Sequence, residues 1–320
     1  MQLNPELKKF IDQIMPQIDE VFTEHNFPIH ERFMKAAVFF VENCIKGSSL
    51  GDSENILEHD AFSRDIVPLF MQWYYETYGE LAKPPHQSDT YGIVTSYAQP
   101  IKIKIPLTTS SLTEKGTCWL KFPDSIEETE SYTDFIDDKV RLEALVSERL
   151  RVLENEVLEV ASKTRKIHLN LMSVSGLEPE TLSMKNGIWA HFEKAIDDII
   201  SFNTDRVSIG CWELHLAVEK SFKVLIKQKI GKKIFGHNLL SLYEESKQFC
   251  ADLDVESLKS LPSEKDAIKL RYAEQFMHLD KAIEHYKTAL NIVCTLTENL
   301  DRKLRFNNAA LEIKQAPWAI

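Results

Sequence analysis

Arg271 and His278 are a pair of residues whose types and spacing could do chemistry. They lie seven residues apart in the segment LRYAEQFMHLDKAIEHYKTAL, whose apolar spacing predicts one long helix. Seven residues at about 100° each fall about 20° short of two full turns, so both side chains would project from one face. A guanidinium and an imidazole placed in this way can share one phosphate. The alternative interpretation is two solvated residues on an amphipathic helix.

A second set of candidate residues is cationic and lies earlier in the chain. Three of its lysines fall on one face of a predicted helix, and two follow in the turn beyond it. They are Lys220, Lys223, Lys227, Lys232 and Lys233. Such a cluster can bind the phosphates of a nucleotide or nucleic acid, although the solvated face of any helix also carries charges.

His237 is the sixth candidate for binding an anion. It follows Gly236 at a predicted helix start, where an imidazole can contact an anion at the positive end of the helix. The alternative is a structural residue that holds the turn.

These residues belong to a C-terminal part of the chain that the apolar pattern predicts to be helical throughout. The predicted helices are Trp189 to Phe202, Val207 to Lys229, His237 to Ala251 and Ala267 to Leu300. Four helices with short connections bury their apolar stripes best as an antiparallel bundle.

This part of the chain resembles the HEPN domain, a four-helix module associated with nucleic acids and nucleotides in prokaryotic toxin and defence systems. The resemblance covers about residues 188–300. It rests on ELHLAVEKSFKVLIKQKIGKKIFGHNLLSLYEES, with its AVEK helix and the glycine-containing turn before His237. It rests also on LRYAEQFMHLDKAIEHYKTALNIV, in which Arg271 begins the RY pair.

The resemblance implies a metal-independent endoribonuclease of a bacterial toxin or phage-defence system. Family ribonucleases carry an Arg, four to six residues and then a His, which Arg271 and His278 match at the long end. His278 would then transfer protons at the ribose 2′-OH or the leaving 5′-oxygen, and Arg271 would stabilise the scissile phosphate, within a homodimeric cleft. Tyr272 follows Arg271 where active members often carry a polar residue. The alternatives are therefore a non-catalytic module that binds nucleotide, RNA or a partner protein such as an antitoxin, and a structural assembly factor.

Residues 1–180 are predicted to form a separate domain. Apolar stripes indicate three helices within residues 1–80, and the alternation in IKIKIPL predicts an edge strand with TCWLKF as its partner. A long helix is predicted from Thr133 to Ser162, KIHLNLMSV is a candidate strand, and residues 175–187 are a candidate linker.

The predicted fold class is mainly α. It comprises an N-terminal α-helical domain with a small antiparallel β-sheet insertion, a HEPN-like antiparallel four-helix bundle at 188–305, and a tail at 306–320.

Composition and charge limit the classes of function and ligand that remain. The chain has 320 residues and a net charge of −11, and residues 187–320 carry 19 acidic and 19 basic side chains, so the acidic surplus lies in the first 186 residues. That part repels nucleic acid on average, whereas the C-terminal part does not. Five scattered cysteines without a CxxC pair argue against disulfides and zinc, and we predict neither a metal nor a cofactor. The absence of a long apolar run or a signal sequence favours a cytoplasmic protein without membrane contact.

Overall fold

The computed structural model describes residues 5–47, 53–83, 90–114, 116–136 and 141–314. These residues are mainly α-helical, with a small amount of antiparallel β-sheet. None of the helices they form is both long and apolar enough to cross a bilayer. The chain divides into two compact units. The smaller contains the described residues of 1–88, 112–118 and 312–320, and the larger contains those of 89–111 and 119–311.

Amphipathic helices build the smaller unit, as the sequence predicted for residues 1–80. They are α1 (Pro5–Glu24), α2 (Ile29–Cys44), the short α3 (Ser53–Glu58) and α4 (Val67–Tyr78), with a π-helical turn at Phe62–Ile66 before α4. Their apolar stripes meet in one core, in which Ile11, Val41 and Phe70 are fully buried. Burial of these stripes, rather than helix propensity alone, stabilises such short helices.

A buried polar cluster joins three of these helices. Asp19 of α1 accepts hydrogen bonds from Arg32 of α2 at 2.9 Å and from Tyr74 of α4 at 2.8 Å, and a further one from Tyr78. Burial alone would raise the pKa of Asp19, but the hydrogen bonds from Tyr78, Arg32 and Tyr74 outweigh it and lower the pKa. The carboxylate is thus held ionised within the core.

The strands pair differently from the prediction. β1 (Thr90–Ser96) and β2 (Gln99–Ile105) form an antiparallel hairpin, whereas β3 (Thr109–Glu114), β4 (Thr117–Phe122) and β5 (Ala309–Lys314) form a separate sheet in the order β3-β4-β5. The strands in IKIKIPL and TCWLKF are confirmed, but their pairing with each other is wrong. β1 was not predicted, and its short two-residue turn to β2 makes it the local partner.

The described residues of the larger unit form four long α-helices and three short ones. They are α5 (Ser147–Ser173), α6 (Pro179–Ile200), α7 (Thr204–Ile230), α8 (Leu239–Ser246), α9 (Val255–Ser260), α10 (Glu264–Arg271) and α11 (Leu279–Glu298). α7 packs against α6, α8, α10 and α11, and α11 also packs against α5. The common core also buries Ile93 and Ile103 of the hairpin.

Three sequence predictions in this unit are wrong. KIHLNLMSV is not a strand but the end of α5, where Ile167 and Leu171 are buried one helical turn apart. The proposed linker 175–187 is largely the first part of α6. The helix predicted from Thr133 begins only at Ser147; residues 137–140 of that prediction lie outside the described residues.

The predicted four-helix bundle of residues 188–305 is not confirmed. The segment from His237 to Ala251 contains only the short α8, and the segment from Ala267 to Leu300 is split into α10 and α11. The fourth long helix of the unit is α5, which lies within the N-terminal domain predicted for residues 1–180. The predicted tail at 306–320 contains β5, and its residues 315–320 lie outside the described part of the chain.

Candidate functional site

The structure places Arg271 and His278 on different elements. Arg271 is the last residue of α10, and the chain leaves helical geometry at Tyr272 and Ala273, whose φ is +51°. His278 precedes α11 as its N-cap residue and makes no side-chain capping hydrogen bond. The prediction that both side chains project from one face of a continuous helix is therefore wrong.

Arg271 and His278 nevertheless flank a single connection and are both exposed. The guanidinium of Arg271 lies 5.6 Å from the ring centre of Trp212 and 5.3 Å from that of Tyr272. The backbone N–H of Met277 donates to Ser208 Oγ of α7 at 2.9 Å, which fixes the connection to the core helix. Neither Arg271 nor His278 forms an ion pair with any residue that the structure describes.

Most of the predicted anion-binding residues line one pocket. The pocket contains about 240 Å³ and lies between the start of α6, the end of α7 and the connection that leads to α8. Five predicted residues line it: Lys223, Lys227, Lys232, Lys233 and His237. We refer to it as the lysine pocket.

Two glycines shape the connection that forms one wall of the lysine pocket. Gly231 ends α7 with φ +67° and accepts a hydrogen bond through its carbonyl from Lys227 at 3.1 Å. Gly236 has φ +97°, a conformation that side chains disfavour. The chain between them carries Lys232 and Lys233, and Gly236 turns it so that His237 lies beside α7.

Each lysine of the pocket has a carboxylate partner. The Lys227 ammonium lies 3.2 Å from Glu178, that of Lys232 lies 2.7 Å from Glu245, and that of Lys233 lies 2.5 Å from Glu180. Lys233 also lowers the pKa of Glu180. These three carboxylate side chains are 40–66% exposed, so the pairs are surface ion pairs of low stability.

Glu219 differs from those carboxylates because it is buried, with 4% of its surface exposed. It accepts a hydrogen bond from Lys223 at 2.7 Å and one from His237 Nδ1 at 2.8 Å. His215 Nε2–H donates to the backbone carbonyl of His237 at 3.1 Å. Burial lowers the pKa of His215, which favours its neutral form.

The orientation of His237 is thus fixed through both its ring and its main chain. With Nδ1–H donating to Glu219, the lone pair of the neutral ring is on Nε2. Nε2 has no hydrogen-bond partner among the residues that the structure describes. The His237 side chain is half exposed and lines the lysine pocket, so Nε2 is available to a ligand there.

Lys220 is the predicted binding residue that does not line the lysine pocket. Its Nζ lies 2.6 Å from the position that a Cβ atom would occupy at Gly187 of α6. Its side chain therefore packs across α6 at a glycine that leaves room for it.

Sequence reasoning missed two parts of the site. Phe235 lines the pocket, is 82% exposed and lies beside Lys233, whose ammonium is 5.8 Å from its ring centre. Its signal was present in the sequence, where an aromatic residue stands between the Lys232 and Lys233 pair and His237 in a predicted turn. Glu180 and Thr181 were missed because the helix that carries them was predicted to start at Trp189.

The site contains no evident metal centre, since no group of three His, Cys, Asp or Glu side chains in the described residues could hold an ion. Comparison of the chain with protein-family models, with curated proteins and with solved structures finds no match.

Proposed function

We propose that the protein binds nucleoside phosphates, as a free nucleotide or within RNA, in the lysine pocket. The observation that carries this proposal is the convergence of four ammonium groups, one oriented imidazole and one exposed aromatic ring on a single cavity. Ammonium and imidazole groups bind phosphate oxygens, and the aromatic ring offers a stacking surface to a base.

The existing ion pairs do not prevent this function. Exposed ion pairs are typically worth about 0–1 kcal/mol, so a phosphate can replace Glu178, Glu180 and Glu245 at little cost. Those side chains are exposed and can turn to solvent. Glu219 is buried and keeps its contacts with Lys223 and His237.

Phe235 supports a nucleoside rather than a bare phosphate as the ligand. An aromatic side chain that is 82% exposed contributes little to the core, and it lies at the edge of a cationic cavity. Stacking on such a ring tolerates every base, because every base has a π face. The pocket therefore supplies contacts to both parts of a nucleotide.

This proposal corresponds to the non-catalytic alternative that the HEPN resemblance implies. The proposal includes a HEPN-like character of about residues 188–300, which the segments around Lys223 and Arg271 support. A homodimer and a protein partner such as an antitoxin are further predictions of that resemblance.

Titration calorimetry with ADP and with a short single-stranded RNA tests the proposal. In the double variant Lys232→Glu/Lys233→Glu we expect affinity to fall at least about tenfold, because two exposed phosphate contacts become repulsive. The matched control is Lys247→Glu/Lys259→Glu, which reverses two exposed lysines, each in an i,i+3 pair away from the pocket. Absence of binding to both ligands, or an equal loss of affinity in the control, overturns the proposal.

A second candidate function is RNA cleavage at Arg271 and His278. The observation that favours it is that both side chains are exposed on one connection. Unlike the lysines of the pocket, they have no carboxylate partner among the residues that the structure describes. Such a cation and imidazole are free to engage a phosphodiester. Incubation of RNA with the protein in EDTA tests it: a product ending in a 2′,3′-cyclic phosphate supports cleavage, and intact RNA rules it out.

A further inference from the structure

The charge balance of the lysine pocket distinguishes between classes of phosphate. Three of its lysines are neutralised by exposed carboxylates that a ligand must displace, whereas Glu219 is buried and stays in place. A ligand that leaves those lysines compensated must therefore bring about three negative charges. An internal phosphodiester carries one negative charge. The terminal phosphate of a nucleotide carries about 1.5 to 2 negative charges, and a diphosphate carries about one more.

The size of the pocket also favours a diphosphate group over a run of RNA phosphodiesters. Its volume of about 240 Å³ lies below the usual range for ligand pockets, about 300–1,000 Å³. Three successive backbone phosphates of RNA would bring their sugars and bases with them, which this space does not hold. A diphosphate group concentrates the same charge within a few ångströms.

His237 adds a proton-accepting group to this pocket. Its Nδ1–H donates to Glu219, so its Nε2 can accept a proton without breaking that hydrogen bond. A protonated Nε2–H can donate to a phosphate oxygen, whereas the neutral form presents a lone pair that repels it.

Charged and titratable groups face His237 from each neighbouring element. They are His215, Glu219, Lys223 and Lys227 of α7, Glu180 of α6, and Lys232 and Lys233 of its own connection. A bound phosphate group of higher charge favours protonation, because it adds negative charge beside Nε2.

We propose that the lysine pocket selects a multiply charged phosphate terminus, as in a nucleoside di- or triphosphate, and that His237 takes up a proton when it binds. The inference rests on the proposed nucleoside-phosphate function and specifies its ligand class. No bond in the ligand is broken; the only transfer is of one proton from solvent to His237 Nε2.

Calorimetric titrations with ADP, with inorganic pyrophosphate and with the dinucleotide ApA, which has a single phosphodiester, test the inference. Each titration is repeated near pH 7.5 in buffers of different ionisation enthalpy, which yields the number of protons taken up. We expect ADP to bind at least about tenfold more tightly than ApA, with uptake of up to about one proton. In His237→Ala and His237→Gln the uptake should vanish and the preference for ADP should shrink. His25→Ala, which changes an exposed histidine of the smaller unit outside the pocket, should leave both unchanged.

Each outcome separates the inference from the proposed function. Equal affinity for ApA and ADP, or unchanged proton uptake in both His237 variants, overturns the inference while nucleoside-phosphate binding stands. Absence of binding to all three ligands overturns the proposed function itself. If pyrophosphate binds as tightly as ADP, the result supports selection by charge and shows that a base gains no affinity from Phe235.

Discussion

The guanidinium of Arg271 lies 5.6 Å from the ring centre of Trp212, a side chain that is itself buried against the core of the larger unit. Arg271 therefore contacts α7 from the end of α10 while it remains exposed. Cation–π contacts of this kind contribute about 0.5–1 kcal/mol at exposed sites. The guanidinium thus contacts Trp212 of α7 and the ring of Tyr272, and it does not lie on a helix shared with His278.

If the protein cleaves RNA at this connection, His278→Ala should reduce the rate in EDTA by about 10²–10⁴-fold, the usual contribution of a general acid or base. Arg271→Ala should also impair cleavage, and Arg271→Lys should restore it only in part, because lysine lacks the planar group that stacks on Trp212. The measurement is the initial cleavage rate on a labelled RNA. Lys269→Ala, which removes an exposed cation of the same helix, serves as the control. Unchanged cleavage by His278→Ala would show that this imidazole has no role.

Phe235→Ala should weaken binding of a nucleotide without changing stability. Base stacking on an aromatic residue is worth about 1–3 kcal/mol, so we expect affinity to fall between about fivefold and 150-fold. The side chain is 82% exposed, so its removal leaves no cavity in the core. Titration calorimetry and thermal unfolding measure the two effects. The control is Phe276→Ala, which removes an aromatic residue that is 65% exposed and does not line the pocket.

Arg165→Ala should destabilise the larger unit by about 3–5 kcal/mol, the range for breaking a buried ion pair. Arg165 is fully buried and donates to Glu130 at 2.6 and 2.8 Å and to the backbone carbonyl of Pro106 at 2.9 Å. Its loss leaves the Glu130 carboxylate without its cation. Denaturant unfolding followed by circular dichroism measures the change. Arg151→Ala is the matched control, because Arg151 forms only an exposed i,i+3 pair, and a loss there as large as that of Arg165→Ala would contradict the prediction.

Asp19→Ala should destabilise the smaller unit in a pH-dependent manner. The pKa of Asp19 is lowered in the folded protein: burial raises it, but the hydrogen bonds from Tyr78, Arg32 and Tyr74 outweigh that effect. A carboxylate with a lowered pKa stabilises the folded protein. This contribution is complete above the pKa of the unfolded state, about 3.9, and is lost as the pH falls through the pKa of the folded state. The difference between wild type and variant should therefore be constant above about pH 5 and shrink below about pH 4.

Hydrogen exchange of the amides in α1, α2 and α4 measures this difference, because it reports on the smaller unit separately. Asp12→Ala supplies the control, since Asp12 forms only an exposed pair with Lys8 on the same helix. A difference between wild type and Asp19→Ala that grows as the pH falls would contradict the sign of the linkage.

The apolar pattern located the helices where one stripe faces one core. In α1 the buried residues Ile11, Met15 and Ile18 recur at helical spacing, and the prediction followed directly. At the end of α5 the pattern misled, because burial there extends beyond a single stripe. Ile167, Leu169 and Leu171 are all buried, and so is Asn170, so the helix presents an alternation that a strand would also show.

The break between Arg271 and His278 could not be read from the sequence. Neither a glycine nor a proline lies between them, and the left-handed residue is Ala273, at which the sequence gives no warning. The hydrogen bond from Met277 to Ser208 is a tertiary contact over 69 positions, and it favours the break in a way that local pattern cannot reveal. The cations of the lysine pocket were predicted better, because they are close in sequence. The carboxylates that pair with them from α6 and α8 were not predicted.

All the residues of the lysine pocket and their carboxylate partners lie between positions 178 and 245. α6 and α7, which carry most of them, are adjacent helices joined by a connection of three residues. Contacts of such short range close early and at low entropic cost. During synthesis on the ribosome the chain therefore contains every group of the pocket before α11 is made, whereas the Arg271 connection needs α11 to be complete.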